Sequence, residues 1–259
     1  MNARFSLRRR ALSALCIALA ISACGPVQAP PDPAQARQDE AAYLAPPSLD
    51  RLEPGSSTLV LAGLAAPGAR VQLARPGGER LSTRADALGR WRIVAPAPGG
   101  PEVFGLSQSL AGRTVQAEGY VFLYGSQGAW LLRAGAAARP LAGAPSGGLV
   151  IDYDRSGGTV VSGKAPADGL LVVQVNGRRA GSGRSDASGR FEIRLDGPLA
   201  TGESRLRLFG EGVNRETLLR LSPPAPLEEG PMRAVPEGVG LRIDWLTPGG
   251  GLQTTQILP

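Results

Sequence analysis

Ala85-Asp86-Ala87-Leu88-Gly89-Arg90-Trp91-Arg92-Ile93 and Ser185-Asp186-Ala187-Ser188-Gly189-Arg190-Phe191-Glu192-Ile193 stand one hundred positions apart and share one chemistry. Asp-x-x-Gly-Arg between two alternating runs is turn chemistry. The Asp side chain bonds backbone two residues on, and the glycine takes a positive φ. The chain then enters a strand. Trp91 and Ile93, or Phe191, Ile193 and Leu195, fall on one face; Arg90 and Arg92, or Arg190, Glu192 and Arg194, fall on the other. Alternation at period two predicts an antiparallel sheet wet on one side.

The agreement extends on both sides. Leu59-Val60-Leu61-Ala62-Gly63 matches Thr159-Val160-Val161-Ser162-Gly163 at the same offset, and Pro67-Gly68 and Asp168-Gly169 supply turns before apolar runs at 69–73 and 170–175. Leu206, Leu208 and the run 217–221 continue the second copy. In the first, 114–124 and 129–133 read as a hairpin about Gly125-Ser126-Gln127-Gly128. Shared spacing with shared turns predicts two copies of one unit. Several short strands per copy and no convincing helix predict a β-sandwich.

The string Gly163-Lys-Ala-Pro-Ala-Asp-Gly169, then Val172 to Asn176-Gly177, Asp186-Ala-Ser-Gly189-Arg-Phe191 and Leu199-Ala-Thr-Gly202 resembles bacterial Ig-like domains. The resemblance implies an all-β chain of two tandem Ig-like antiparallel sandwiches, typical of extracellular and envelope proteins, and is nearly silent on activity. The antibody-type Cys–Trp–Cys core is absent, so Trp91 and Phe191 are expected to fill core positions. The expected division is 49–145 for the first sandwich, 146–225 for the second and 226–259 for a C-terminal β-hairpin. In that last segment Leu241-Arg-Ile-Asp-Trp245 echoes Leu149-Val-Ile-Asp-Tyr153. It reads either as a cover for an exposed sheet edge or as the start of a truncated third module.

The N-terminus has a different grammar. Arg4, Arg8, Arg9 and Arg10 precede 13 uncharged residues, Ala11 to Ala23, and Ile21-Ser22-Ala23 leads into Cys24. A charged start, a short apolar run and small terminal residues mark a secretory signal. The run is too short for a membrane span of about 20 residues. A cysteine directly after the small residues resembles the lipobox of bacterial lipoproteins. That resemblance implies cleavage of residues 1–23, lipidation of Cys24 and a membrane-tethered protein of the bacterial cell envelope. The alternative is an ordinary cleaved signal. Gly25, where an aspartate retains some lipoproteins at the inner membrane, is compatible with the outer membrane, facing the periplasm or the cell surface. Residues 24–48 carry Pro26, Pro30, Pro31, Pro33, Pro46 and Pro47 and read as a disordered Pro/Ala-rich tether.

Composition narrows the chemistry. The net charge of +6 becomes +2 once the four arginines of residues 1–23 are removed, and no basic stripe points to nucleic acid. Of two cysteines, Cys16 lies in the signal and Cys24 would be lipidated. The chain has no histidine, which removes Ser-His-Asp and Cys-His catalysis and His/Cys zinc sites. Lys164, the one lysine, leaves room for a Ser-Lys dyad, but the other copy has Leu64 there and an exposed turn lysine is the plainer reading. Asp152 and Asp154 alternate with apolar residues and, with Asp186, could offer calcium oxygens. Calcium takes six to eight, so solvated strand acids are the simpler account. Arg90, Arg92, Arg190, Arg194, Arg205, Arg207 and Arg220 could meet an anionic glycan, although acids such as Glu192 and Asp196 are interleaved. No catalytic residue, cofactor or metal ligand is expected. The expected role is a non-catalytic, lipid-anchored envelope protein with structural, scaffolding or binding modules. Its partners would be the membrane through Cys24 and an envelope protein or anionic glycan. The alternatives are a polysaccharide- or peptidoglycan-binding module, an accessory subunit of an envelope enzyme, or a carboxylate-based hydrolase, which would need two buried acids in a cleft.

Overall fold

The computed structural model describes residues 43–124, 128–141 and 148–259, and the regular structure among them is entirely β-strand. Cys24, most of the tether and the tip of the 125–128 turn lie outside the described residues. The first copy of the repeat supplies β1 (Arg51–Pro54), β2 (Thr58–Leu64), β3 (Arg70–Ala74), β4 (Arg80–Arg84), β5 (Arg90–Pro96), β6 (Pro101–Leu110) and β7 (Arg113–Tyr124). It continues into β8 (Ala129–Leu132) and β9 (Arg139–Pro140). The second supplies β10 (Leu149–Asp154), β11 (Thr159–Lys164), β12 (Leu170–Val175), β13 (Arg178–Arg184), β14 (Arg190–Arg194), β15 (Gly202–Gly210) and β16 (Val213–Leu221). It continues into β17 (Met232–Glu237), β18 (Gly240–Leu246) and β19 (Leu252–Leu258).

These strands form four antiparallel sheets. Sheet A is β1-β2-β5 and sheet B is β4-β3-β6-β7-β8-β9; sheet C is β14-β11-β10-β19-β18-β17 and sheet D is β13-β12-β15-β16. The hundred-residue offset is a register, not only a sequence likeness. Val60 opposes Val94 and Leu64 opposes Arg90 in the first copy; Val160 opposes Arg194 and Lys164 opposes Arg190 in the second.

The duplicated turn explains that agreement. Asp86 Oδ1 accepts from the backbone N–H of Leu88 and Arg90, each at 2.8 Å, and Asp186 Oδ1 does the same for Ser188 and Arg190. Gly89 and Gly189 both sit at φ +77°, and a Cβ on either would stand 2.4 Å from a carbonyl oxygen, of Ala65 or Ala165. Only glycine fits. The strands that follow alternate as expected: Trp91 and Ile93, or Phe191 and Ile193, are buried, and the charged residues between them, Arg92 and Glu192, are exposed.

Sheets A and B enclose one core, built around Leu61, Val71, Trp91, Leu106 and Val121. Sheets C and D enclose a second, around Ile151, Val161, Val173, Phe191 and Leu206. These are the two sandwich-like units. A third core lies between sheets B and C, where Phe122, Trp130 and Leu132 meet Val150, Ile243 and Trp245. Alternation makes this possible. Val121 and Leu123 point into the first core while Phe122, between them, points into the third; Ile151 and Val150 divide likewise. The end of β7 (Val121 to Leu123), β8 and β10 are therefore buried on both faces, and residues 44–259 form one compact unit.

Two expectations are revised. The C-terminal segment is a three-stranded meander rather than a hairpin: β19 pairs with the edge of β10, β18 with β19, and β17 with β18. Its first strand contains Pro236, which an edge strand tolerates because no further ladder bond is needed there. The tether also ends earlier than residue 48. Ser48 N donates to Leu64 O at 2.8 Å, and the Gln108 amide donates to Ala45 O, so residues 44–48 belong to the folded body.

Candidate functional site

The seam between sheets B and C contains the least expected chemistry in the chain. β19 reads Gln253-Thr254-Thr255-Gln256, and all four residues are buried at the centre of sheet C. Polar groups can be buried at this density only when they find partners. Thr255 Oγ1 donates to Asp152 Oδ1 at 2.5 Å, Gln253 Nε2 to the same oxygen at 3.4 Å, and Ala138 N to Oδ2 at 2.7 Å. Trp245 Nε1 donates to Thr255 Oγ1, which extends the chain into the third core. Gln253 also accepts from Gly135 N at 2.9 Å and donates to Arg133 O at 3.1 Å. The β8–β9 loop is thus stitched to the second half through backbone groups. Burial pushes the Asp152 carboxyl up to about 7, against the three hydrogen bonds that favour its charged form.

Asp244 occupies the mirror position on the opposite face of sheet C. It takes Thr254 Oγ1 at 2.6 Å, Arg233 at 2.6 Å and Arg242 Nε at 3.0 Å, while Arg242 also reaches the carbonyl oxygens of Ser222 and Pro223. The echo between Ile151-Asp-Tyr153 and Ile243-Asp-Trp245 therefore has a structural meaning. Both aspartates flank β19, and its successive threonines, pointing to opposite faces, serve one each.

Beside the seam lies a cleft of about 410 Å³. Ser162 and Gly163 of β11 and Phe191 and Glu192 of β14 line one side; Arg133, Ala137, Ala138, Arg139 and Pro140 from the first half line the other; Arg184, Ser185, Asp186 and Arg190 complete the lining. Arg133 pairs with Glu192 at 3.5 Å and with Glu118 at 3.6 Å, and Arg190 with Asp186 at 3.7 Å. Arg184 donates to the carbonyl oxygen of Asp168, a neutral partner. The Arg139 backbone pairs with Leu131, but its side chain has no hydrogen-bond or ion-pair partner among the described residues.

The acids proposed from sequence are not gathered. Asp152 is in the seam, whereas Asp154 Oδ1 accepts from Ser156 and Gly158 in its own turn and Asp186 from Ser188 and Arg190 in another. Among the described residues no group of three or more such side chains is placed to hold a metal. Lys164 ends β11, exposed. The seven strand arginines do not share a face: they divide among sheets A, C and D. Arg205 pairs with Glu216, Arg220 with Glu203, and Arg194 reaches Gly135 O. Arg133, Arg139, Arg184 and Ser162 drew no attention in the sequence. The available signal was a difference between copies, Ser162 against Ala62, within a matched strand.

No helix among the described residues is long and apolar enough to cross a membrane. Neither a protein-family comparison nor a search of curated proteins finds a match. Among solved structures, the chain is similar to a "Biofilm associated protein - BSP domain" at 13% identity and TM-score 0.24, covering 71% of this chain and 30% of that one. It is also similar to the "Central Fibronectin-III array of RIM-binding protein" at 14% identity and TM-score 0.27, covering 79% of this chain and 74% of that one. The chain thus spans about a third of the length of the biofilm protein chain it matches.

Proposed function

We propose that this protein is a lipid-anchored, non-catalytic component of a bacterial cell envelope, in which the stacked sandwiches act as a rigid structural and binding piece. The observation that carries the structural part of this reading is the third core. It joins two copies of a duplicated unit through packed aromatics and buried hydrogen bonds, where a flexible linker would have left them independent. The buried carboxylates support a non-catalytic role. A carboxylate hydrolase needs two acids flanking one bond, whereas Asp152 and Asp244 lie on opposite faces of sheet C, each committed to structural partners.

The anchor rests on the sequence before Cys24 and the absence of any other long apolar run. Two or three acyl chains, at roughly 0.8 kcal/mol per buried methylene, hold a protein far more firmly than one. Gly25 is compatible with the outer membrane. Cys24→Ser is expected to move the protein from the membrane to the soluble fraction and to abolish labelling by radioactive palmitate. A variant that stays in the membrane and keeps the label overturns the anchor.

A further inference from the structure

We infer that the cleft beside the seam binds an acidic saccharide, with its carboxylate taken by Arg139 and Arg184 and a sugar hydroxyl by Ser162. Three observations converge. First, four arginines line the cleft against two carboxylates, and the two acids are already matched to Arg133 and Arg190. Arg139 and Arg184 remain without a carboxylate partner among the described residues. A guanidinium offers a planar fork that fits a carboxylate with two parallel hydrogen bonds.

Second, the Ser162 hydroxyl is buried, lines the cleft and has no hydrogen-bond partner. An unmet buried hydroxyl costs about 1–3 kcal/mol, and the matched residue of the first copy, Ala62, shows that the strand folds without it. The second copy therefore carries a polar group that its own fold does not use. Third, the remaining cleft groups select among anions. Glu192 and Asp186 repel a dense polyanion such as polyphosphate or a nucleic acid. A sugar with one carboxylate and several hydroxyls can instead use them as acceptors. The cleft volume is also within the usual range for small-ligand sites, about 300–1,000 Å³.

Residues 133–140 cover the second copy at the cleft, and it is this loop that contributes Arg133 and Arg139. The inference does not rest on the lipid anchor, so this test and the Cys24→Ser test fail independently.

Calorimetric titration of the full chain in detergent, at low ionic strength, decides the matter. Trigalacturonic acid is expected to bind saturably. Its neutral counterpart galactotriose should bind at least about tenfold more weakly, and inorganic tripolyphosphate no better than galactotriose. Arg139→Glu should lower trigalacturonate affinity about tenfold or more; tenfold corresponds to about 1.4 kcal/mol. Since the Arg139 side chain holds nothing else among the described residues, the fold should be unaffected. Ser162→Ala should lower affinity about threefold while leaving the thermal midpoint of the free protein unchanged or higher. The paired control Arg205→Ala/Arg220→Ala, on sheet D, should bind like the parent. Unchanged affinity in Arg139→Glu, an equal loss in the control, no saturable binding, or tighter binding of tripolyphosphate or galactotriose would each overturn the site.

Discussion

The two halves begin alike and end differently. In the first, sheet A stops at β1 while sheet B runs on through β7, β8 and β9; in the second, sheet D stops at β16 while sheet C runs on through β19, β18 and β17. Each half thus lengthens the sheet that faces the other, and the two long sheets share a core neither repeat unit contains. A duplicated sandwich has no intrinsic reason to pack on its copy, because its outer faces are wet. Here the added strands supply Trp130, Leu132, Ile243 and Trp245, which turn two wet faces into one dry contact. The lesson is that rigidity between repeats was acquired through the parts that are not repeated.

The strongest way to break this comparison is to empty the third core. Trp245 is fully buried, stands edge-on to Tyr120 with ring centroids 6.0 Å apart, and donates to Thr255. Trp245→Ala is expected to cost about 3–5 kcal/mol, the usual range for deleting a buried aromatic. It should also split one cooperative urea transition into two, since each sandwich keeps its own core. A loss below about 1 kcal/mol, or a transition that remains single, would mean that the halves are not joined by this contact.

Next in size is the pH dependence of the seam. Asp152 titrates near 7 in the folded protein and near 4 when unfolded. The folded state therefore holds the proton more tightly. The contribution is fully present below about pH 4, is lost as pH rises toward 7 and is flat above, with an upper bound of roughly 4 kcal/mol. Asp152→Asn should remove that slope, read as urea midpoints between acid and neutral pH. A parent whose stability rises over this interval to the same degree as the variant's would sink the assignment of the proton to Asp152.

These two sites also show what the sequence could and could not reveal. The Asp-x-x-Gly-Arg turns and the alternating strands behind them are local, so their pattern alone placed Trp91 and Phe191 in cores. The seam depends on contacts far apart along the chain. β8 reads Ala-Trp-Leu-Leu, a continuous apolar run of the kind that marks a strand buried on both faces, yet nothing nearby says what covers its second face. β19 is harder still. Gln-Thr-Thr-Gln has no apolar pattern, and its burial makes sense only once Asp152 and Asp244 flank it from strands about one hundred and about ten residues away. Ser162 and Arg139 were hidden for the same reason: the loop and strand that meet at the cleft come from different halves.

A third test asks whether the halves are as alike as their shared turns imply. Gly89→Ala and Gly189→Ala each place a Cβ 2.4 Å from a carbonyl oxygen at φ +77°. The left-handed conformation alone costs a non-glycine residue about 1–2 kcal/mol. Each substitution should therefore cost at least that, measured in urea, and the two costs should agree within about 0.5 kcal/mol. A clear inequality would show that one sandwich relaxes where the other cannot.

The smallest effect sharpens the comparison at a single atom. Both turn aspartates are held below the ordinary carboxylate range. For Asp86 the leading cause is the Arg90 backbone N–H; for Asp186 it is the Ser188 hydroxyl, 2.6 Å from Oδ1. The first copy has Leu88 at that position, with no hydroxyl to give. Exchanging the two residues should exchange the behaviour. Ser188→Ala should raise the titration midpoint of Asp186, and Leu88→Ser should lower that of Asp86, both followed by carboxyl carbon NMR. Because each turn keeps its two backbone donors, neither change should disturb the strand register. If Ser188→Ala leaves Asp186 where it was, the backbone donors alone set its acidity and the copies are electrostatically equivalent at this turn.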